Sequence, residues 1–179
     1  MKTASGGKLV AVEGVNGRAL REHARGVLST IQRRRAGISV WDASGLFEEL
    51  TAAGDDAGLP SARALLLLYA ADLAFRLRWE IRPALDEGRV VVAAPYVDTA
   101  IAFGRAAGLP SVWLRDLFSF APPPAEWHHA DAAPPRGRAR RGGFVEFGTE
   151  WMAHAPKRRE VMSSVRSQLR VRQKRRRAN

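Results

Sequence analysis

Lys8-Leu9-Val10-Ala11-Val12-Glu13-Gly14-Val15-Asn16-Gly17 is the stretch on which the fold of this chain depends. Its four consecutive apolar residues, two of them β-branched, predict a short buried strand. The Gly-x-x-Gly turn that follows leads into a helical pattern that starts near Arg18. A strand, a glycine turn and a helix N-terminus together form a phosphate cradle, because free backbone N–H groups and the helix dipole point at one place.

The residues that would act on a phosphate are missing from this cradle. A complete P-loop, Gly-x-x-x-x-Gly-Lys-Ser/Thr, uses its lysine to hold the β- and γ-phosphates and its hydroxyl to hold Mg²⁺. Counted from Gly14, its last three positions are occupied by Ala19, Leu20 and Arg21. The sequence therefore predicts the architecture of a phosphate site without its chemistry.

Composition limits the class of protein. The chain has 179 residues, enough for one domain with a sizeable core, and 46% of them are hydrophobic, which is typical of a globular protein. No apolar run approaches the roughly 20 residues of a membrane span, and no secretory signal is visible. The absence of cysteine excludes disulfides, thiolate zinc sites and a cysteine nucleophile. We expect a cytoplasmic location.

The formal net charge of +11 is unevenly distributed. Residues 1–132 contain 15 Lys or Arg and 15 Asp or Glu, whereas residues 133–179 contain 14 Lys or Arg and 3 Glu. This predicts a neutral α/β body over 1–132, followed by a basic segment over 133–179 made of an Arg-rich loop, a helix and a basic tail. Such a segment favours an anionic or acidic partner, and a solubilising tail is the alternative.

Short apolar runs alternate with helical periodicities along the body. Strands are predicted at Ile38–Trp41 and Arg89–Ala94, with a weaker candidate at Glu126–Ala132. Helices are predicted at Arg18–Arg35, within Asp42–Gly58, at Ser61–Gly88, Thr99–Ala107 and Pro110–Phe120, and over Phe144–Val171 with an apolar face of Met152, Val161, Val165 and Leu169. This alternation predicts an α/β fold with three α/β/α layers and a parallel sheet covered on both faces.

Several phrases of the sequence resemble the thymidylate kinase family. Leu9–Gly17 stands where that family has an apolar strand followed by Glu-Gly-x-Asp-Gly, and Leu66–Ala74 resembles its Leu-Leu-Leu-Phe-Ala-Ala-Asp-Arg-Ala helix. Ile81–Val92 matches the stretch that leads into the family's central strand, and Pro95–Thr99 follows where it has Asp-Arg-Tyr-x-x-Ser. The resemblance covers roughly residues 8–117 and implies a P-loop nucleotide-kinase-like fold.

The same resemblance implies that the charged groups of the family are absent. In this chain Leu20 stands at the P-loop lysine position, and Arg21 or Glu22 stands at the position of the Mg²⁺-binding hydroxyl. Ala94 and Pro95 stand at the Asp-Arg pair, and Leu73 stands at a substrate-binding arginine. The Thr-Arg-Glu-Pro phrase is replaced by Trp41-Asp42-Ala43-Ser44. Because phosphoryl transfer depends almost entirely on positioned positive charge, we expect a catalytically inactive member with no catalytic residue, metal site or cofactor.

A vestigial nucleotide site is one interpretation of the residues that remain. Its candidate residues are Gly14, Asn16, Gly17, Arg18, Arg21 and Tyr96, with an arginine in place of the lysine charge. In the alternative interpretation the glycines only form the turn, the two arginines are solvated and Tyr96 packs in the core. Residual nucleotide binding or kinase activity is accordingly the third functional hypothesis.

Two other functional hypotheses rank above it. The first is a structural or assembly subunit that binds a partner protein or a second copy of itself; Trp113, Leu114, Phe118 and Phe120 are apolar enough to contribute to such a surface. The second is nucleic-acid binding through phosphate contacts of the basic segment, without base stacking. The residues proposed for nucleic-acid or acidic-partner contact are Arg138, Arg140, Arg141, Arg158, Arg159, Arg166, Arg170, Arg172, Lys174, Arg175, Arg176 and Arg177.

The adjacent histidines His128 and His129 offer little as a metal site. In the candidate strand over Glu126–Ala132 they would point to opposite faces, so they cannot chelate one ion together.

Overall fold

The computed structural model describes residues 6–31, 35–52, 60–130, 144–145 and 158–178. Within them, four strands form one parallel sheet in the order β2-β3-β1-β4. The strands are β1 (Lys8–Glu13), β2 (Ala36–Val40), β3 (Val90–Ala94) and β4 (Glu126–His129). Every residue of β3 is buried, as expected of a short apolar strand inside a parallel sheet. The weaker strand candidate is confirmed over Glu126–His129.

Helices connect and cover these strands. They are α1 (Gly17–Thr30), α2 (Leu46–Ala52), α3 (Ala62–Arg76), α4 (Arg82–Asp86), α5 (Val97–Ala106), α6 (Ser111–Leu117) and α7 (Arg158–Arg177). The predicted three-layer α/β/α arrangement is confirmed. Because all four strands run in the same direction, their carboxyl ends meet at one edge of the sheet, where β1 leads into α1 and β3 leads into α5.

Helix α1 is shorter than the sequence predicts. It ends at Thr30 rather than Arg35, and Ile31 already has extended backbone angles. The hydroxyls of Ser29 and Thr30 donate to the carbonyls of Gly26 and Val27 at 2.7 Å, and such side-chain bonds compete with helix continuation. The helical spacing of apolar residues in the sequence does not predict this competition.

The long helix predicted over Ser61–Gly88 is interrupted. Ser61 caps it as expected, because its Oγ accepts the N–H of Ala64 at 3.2 Å. After α3, residues Leu77–Ile81 form a π-helical turn that passes into α4. Pro83 follows this turn and has no N–H to donate, which favours a local change of hydrogen-bonding pattern there. Gly88, with φ of +74°, ends the segment.

The last helix belongs to the packed structure. Helix α7 packs on α5 and β4, and two predicted members of its apolar face, Val165 and Leu169, are 1% and 3% exposed. Met152 and the side chain of Val161 lie outside the described residues. Among the described helices, none is long and apolar enough to cross a membrane.

Candidate functional site

The turn after β1 is a side-chain-capped helix start. Asn16 is the N-cap of α1: its Oδ1 accepts the N–H of Ala19 at 3.1 Å, and its carbonyl accepts the N–H of Leu20 at 2.9 Å. A P-loop directs such N-terminal amides at a phosphate. Here the Asn16 side chain takes the place of the anion at Ala19, as asparagine commonly does at helix starts.

Gly14 is closely packed by neighbouring residues. Its N–H donates to Thr99 Oγ1 at 3.1 Å. A Cβ atom on Gly14 would lie 3.0 Å from the carbonyl oxygen of Ala130 and 3.3 Å from the Cδ2 methyl of Leu20. Only glycine therefore fits this close approach comfortably.

Leu20, at the lysine position of the resemblance, is a core residue. Its side chain is 1% exposed. The neighbouring cations lie outside: Arg21 is exposed, and Arg18 forms an exposed ion pair with Glu22 at 2.8 Å. The side chain at the lysine position thus supplies no charge to the turn.

Buried apolar residues also stand at other positions where the resemblance expects charged groups. Leu73 and Ala94 are 0% and 2% exposed. Pro95 follows a cis peptide bond after Ala94 and its carbonyl accepts from Arg76 Nη1 at 3.2 Å. These positions contribute to packing rather than to a charged crevice.

Glu13 occupies the junction between β1 and α5. Its carboxylate accepts the backbone N–H groups of Tyr96, Asp98 and Thr99 at 3.2, 3.0 and 2.9 Å, and the Thr99 hydroxyl as well. Glu13 therefore caps α5 from a neighbouring strand. Its burial, reinforced by the charge of Asp98, raises the pKa of Glu13 to about 7.

A buried ion pair lies beside this junction and was not anticipated from the sequence. Arg76 Nε and Asp72 Oδ2 are 3.1 Å apart, with both side chains fully buried. Asp72 also accepts the N–H of Asp42 at 3.1 Å and the N–H and hydroxyl of Ser44 at 3.0 Å, while Arg76 Nη2 donates to the Tyr69 hydroxyl at 3.2 Å. The i, i+4 spacing of Asp72 and Arg76 was the available signal.

Aromatic rings pack tightly around Tyr69. We call the rings of Trp41, Phe47, Tyr69, Phe103, Phe118 and Phe144 the aromatic cluster. The Tyr69 and Phe144 centroids are 4.5 Å apart, those of Trp41 and Phe47 3.9 Å, and those of Phe103 and Phe144 5.5 Å. The cluster fills the space between β2, α3 and α5 with side chains.

The six residues predicted for a vestigial nucleotide site are not equally placed. Gly14, Asn16 and Gly17 share the turn after β1, whereas Arg18 and Arg21 are exposed on α1. Tyr96 is 2% exposed, and its hydroxyl donates to the Pro122 carbonyl at 2.8 Å. Burial raises the pKa of the Tyr96 hydroxyl. The turn and a packed tyrosine are buried or half-buried, whereas both arginines are exposed.

The residues predicted for nucleic-acid or acidic-partner contact divide between two faces of α7. Arg172 turns inward, and its Nη1 lies 2.8 Å from Asp98 Oδ1. Arg170, Lys174 and Arg175 are exposed, and Arg166 is half-buried. The structure does not describe Arg138, Arg140 or Arg141, nor the side chains of Arg158, Arg159, Arg176 and Arg177.

The two adjacent histidines have different neighbours. His128 lies beside His23 with ring centroids 5.8 Å apart, and burial together with His128 lowers the pKa of His23. His129 lines a small space under α7 together with Glu13 and Asp98. Among the described residues, no group of three or more His, Asp or Glu side chains is placed to hold a metal ion.

Known proteins with similar sequences include thymidylate kinases. The chain is 34% identical over 143 residues to the thymidylate kinase of Xanthomonas oryzae, an alignment that covers 75% of this chain and 60% of that protein. It is 42% identical over 64 residues to a probable thymidylate kinase of Pyrococcus abyssi, covering 36% of this chain and 31% of the relative. The chain thus spans between about one third and three fifths of the length of these relatives. No protein-family model matches it.

Experimentally solved structures share this fold. A crystal structure of thymidylate kinase from Ehrlichia chaffeensis superposes with a TM-score of 0.57 at 17% identity, over 70% of this chain and 72% of that one. At this identity the superposition establishes the fold alone. The sequence similarity over three quarters of its length places the chain in the thymidylate kinase family.

Proposed function

We propose that this chain is a non-catalytic thymidylate kinase homologue that serves as an assembly component, docking on a partner protein or on a second copy of itself. The observation that carries the proposal is the burial of Leu20 at the position of the P-loop lysine, 1% exposed and packed against Gly14. Phosphoryl transfer needs preorganised positive charge at the transferring group, and each such charge is worth orders of magnitude in rate.

The hydrogen bonds of the turn support the loss of catalysis independently. The N–H of Gly14 is used by Thr99 and the N–H of Ala19 by Asn16. A triphosphate would have to displace both partners before the backbone could hold it. Because Asn16 belongs to the chain, it is always present at the helix start and competes with any incoming phosphate.

An exposed apolar stripe on α3 and the π-helical turn supports the assembly role. We define the apolar stripe as Leu67, Ala71, Phe75 and Trp79, which recur at intervals of four residues. Leu67, Phe75 and Trp79 are 49%, 42% and 61% exposed. Exposed apolar side chains that are contiguous, rather than scattered, are typical of protein–protein contact surfaces.

The surface suggested by the sequence around α6 is only partly available. Leu114 and Phe118 are core residues, 0% and 4% exposed, because α6 packs them toward the body. Val112 and Phe120 remain exposed, at 58% and 38%. The expectation that Leu114 and Phe118 contribute to a partner surface is therefore corrected.

Catalysis is tested by incubating the chain with thymidine monophosphate, ATP and Mg²⁺ and measuring ADP in a coupled assay. We expect no turnover above a protein-free blank. Turnover that is abolished by Arg21→Ala would contradict the proposal, since it would mean that an exposed arginine replaces the lysine. An active thymidylate kinase measured in parallel controls for the assay.

Assembly is tested by light scattering coupled to size-exclusion chromatography. We expect a dimer, or a complex with a partner retained through a high-salt wash, that is lost in Trp79→Glu. Val112→Glu is the matched control, because it places the same charge at an equally exposed apolar site outside the stripe. A monomer that captures no partner, or equal loss with Val112→Glu, would count against this use of the stripe.

Nucleic-acid binding is a second candidate function, favoured by the outer face of α7. Arg166, Arg170 and Lys174 recur at intervals of four residues and so share one side of a helix whose opposite side is packed. Phosphate contacts by three cations would give sequence-independent binding that weakens steeply with salt. We expect Arg166→Gln/Arg170→Gln/Lys174→Gln to remove such binding in a gel-shift titration, whereas Arg25→Gln/Arg82→Gln/Arg89→Gln retains it.

A further inference from the structure

The apolar stripe has the length and spacing of a helix-docking surface. Leu67 and Trp79 are twelve residues apart in sequence, which is about 18 Å at the rise of an α-helix, or roughly three turns of a facing helix. The ring centroids of Phe75 and Trp79 are 6.5 Å apart, so the stripe is continuous at this end. Side chains four residues apart form the ridge that packs into the groove of another helix.

Three arginines border the apolar stripe. Arg63 stands four residues before Leu67 and continues the same line along the helix. Arg78 and Arg82 stand before and after Trp79 in sequence, and all three arginines are exposed. The Arg78 guanidinium lies 5.1 Å from the centroid of the Trp79 ring, so this charge is held directly beside the apolar surface.

Nearby carboxylates do not neutralise these arginines. Glu80 is directed toward β2, where its Oε2 accepts the Ser39 hydroxyl at 2.7 Å. Asp86 stands one turn beyond Arg82, at the end of α4. Among the ion pairs between described residues, none includes one of the three arginines. The border of the stripe therefore carries an excess of positive charge.

The charge of this border disfavours a second copy of the chain as the occupant. A two-fold dimer places the same patch of both copies face to face, so three arginines from each copy would meet at one interface. Like charges brought together at an interface are costly, whereas opposite charges favour encounter and fix the register. An acidic occupant is therefore favoured.

The stripe fits a protein surface better than a lipid surface. Leu67 and Phe75 are 49% and 42% exposed, so about half of each side chain is covered by the protein itself. Apolar side chains of a membrane-surface helix enter the lipid by roughly 5–10 Å, which these half-covered side chains do not allow. They are placed instead for contact with another packed helix.

We propose that the apolar stripe docks an acidic amphipathic helix of a different protein. The exposed apolar side chains of the stripe pack against the apolar face of that helix, and the three arginines pair with carboxylates along its flanks. Because exposed ion pairs contribute little individually, apolar contact supplies most of the affinity and the arginines select the partner. This assignment rests on the proposed assembly function and names the class of its partner.

The test uses two labelled synthetic peptides of about 18 residues that form amphipathic helices with leucines on one face. One peptide carries glutamates along the flanks of that face, and the other carries lysines at the same positions. Fluorescence anisotropy with the intact chain should show the glutamate peptide binding at least tenfold more tightly. Trp79→Glu should weaken its binding at least tenfold, and Arg78→Glu/Arg82→Glu should reverse the preference between the peptides.

The matched control is Arg170→Glu/Lys174→Glu on α7. It makes the same charge change at two exposed cations with the same spacing, so the net charge of the two variants is equal. The control should retain the preference for the glutamate peptide. Because all four residues are exposed, urea unfolding should show both variants folded.

Equal binding of the two peptides overturns the proposal, and so does a preference that is lost in the α7 control alone, since the peptide would then lie on α7. Binding of phosphatidylserine vesicles that is lost in Trp79→Glu, without peptide binding, assigns the stripe to a membrane surface and also overturns it. A dimer that is lost in Trp79→Glu, with no peptide bound, overturns this proposal and leaves the assembly function standing. Absence of a dimer, of a retained partner and of peptide binding overturns both.

Discussion

The Cδ2 methyl of Leu20 lies 3.3 Å from the point where a side chain on Gly14 would begin. In a complete P-loop the lysine that stands at the position of Leu20 holds the β- and γ-phosphates. Here Leu20 packs beside the first glycine and is 1% exposed. A cation placed at position 20 would therefore have to be buried.

Leu20→Lys should accordingly destabilise the protein, and we expect it to give no turnover of thymidine monophosphate. An ammonium group placed in a core site without a partner is expected to cost about 3 kcal/mol or more of unfolding free energy. Leu20→Met keeps the volume and should cost less than about 1.5 kcal/mol. Urea unfolding measures both, and a stable Leu20→Lys variant that turned over thymidine monophosphate would show that the turn opens readily.

Breaking the buried pair of Asp72 and Arg76 should be strongly destabilising. Asp72→Asn leaves a buried guanidinium without its counter-charge, which typically costs about 3–5 kcal/mol. Asp86→Asn, on an exposed position of α4, should change the unfolding free energy by less than about 0.5 kcal/mol.

A double-mutant cycle separates charge from packing at this pair. Asp72→Asn/Arg76→Met should recover part of the loss, because the unpaired charge is removed. Losses in the double variant that equal the sum of the single variants would mean that the two side chains are not coupled.

The unfolding free energy should fall as the pH rises from about 4.5 to 7 because of Glu13. Its pKa is raised to about 7 in the folded chain, so the native state binds more protons than the unfolded state within this window. The stabilising contribution is complete below about pH 4.5 and is lost through pH 7, and its magnitude is on the order of 3 kcal/mol.

Glu13→Gln should remove this slope, since the amide does not titrate. Glu126→Gln is the control, because Glu126 is an exposed carboxyl that pairs with Lys8. Urea titrations at several pH values measure the effect, and a slope that persists in Glu13→Gln would assign it to another group.

The ion pair between Arg172 and Asp98 should hold α7 against α5. Arg172→Gln is expected to weaken this contact by about 1 kcal/mol, which corresponds to roughly fivefold faster amide hydrogen exchange over residues 163–175. Arg170→Gln, on the exposed face of the same helix, should leave exchange unchanged. Equal exchange rates in the two variants would mean that Val165 and Leu169 alone secure the helix.

Local sequence patterns predicted much of this fold, because many of its strands and helix starts are determined by residues that are neighbours in sequence. The run from Leu9 to Val12 and the buried residues of β3 identify strands by composition, and Ser61 identifies a helix start by its side chain. The early end of α1 and the π-helical turn depend on competition between hydrogen-bonding partners. The spacing of apolar residues along the sequence does not predict such competition.

The sequence predicted some positions of the candidate site by their alignment with the family. Leu20, Leu73 and Ala94 could be aligned with expected charges by resemblance, and they are buried. The Asn16 cap and the spacing of Asp72 and Arg76 are local features. The burial of Arg76 depends on packing against segments far apart in sequence, such as the one that contains Pro95.

Phe144, from the basic segment, packs in the core of the neutral body. Its ring, 1% exposed, is supplied from beyond the Arg-rich stretch and completes the aromatic cluster around Tyr69 and Trp41. A fragment that stops at residue 132 would leave these rings facing a void, at a penalty of about 3–5 kcal/mol for a lost phenyl group. The neutral body and the basic segment are therefore expected to melt in a single cooperative transition.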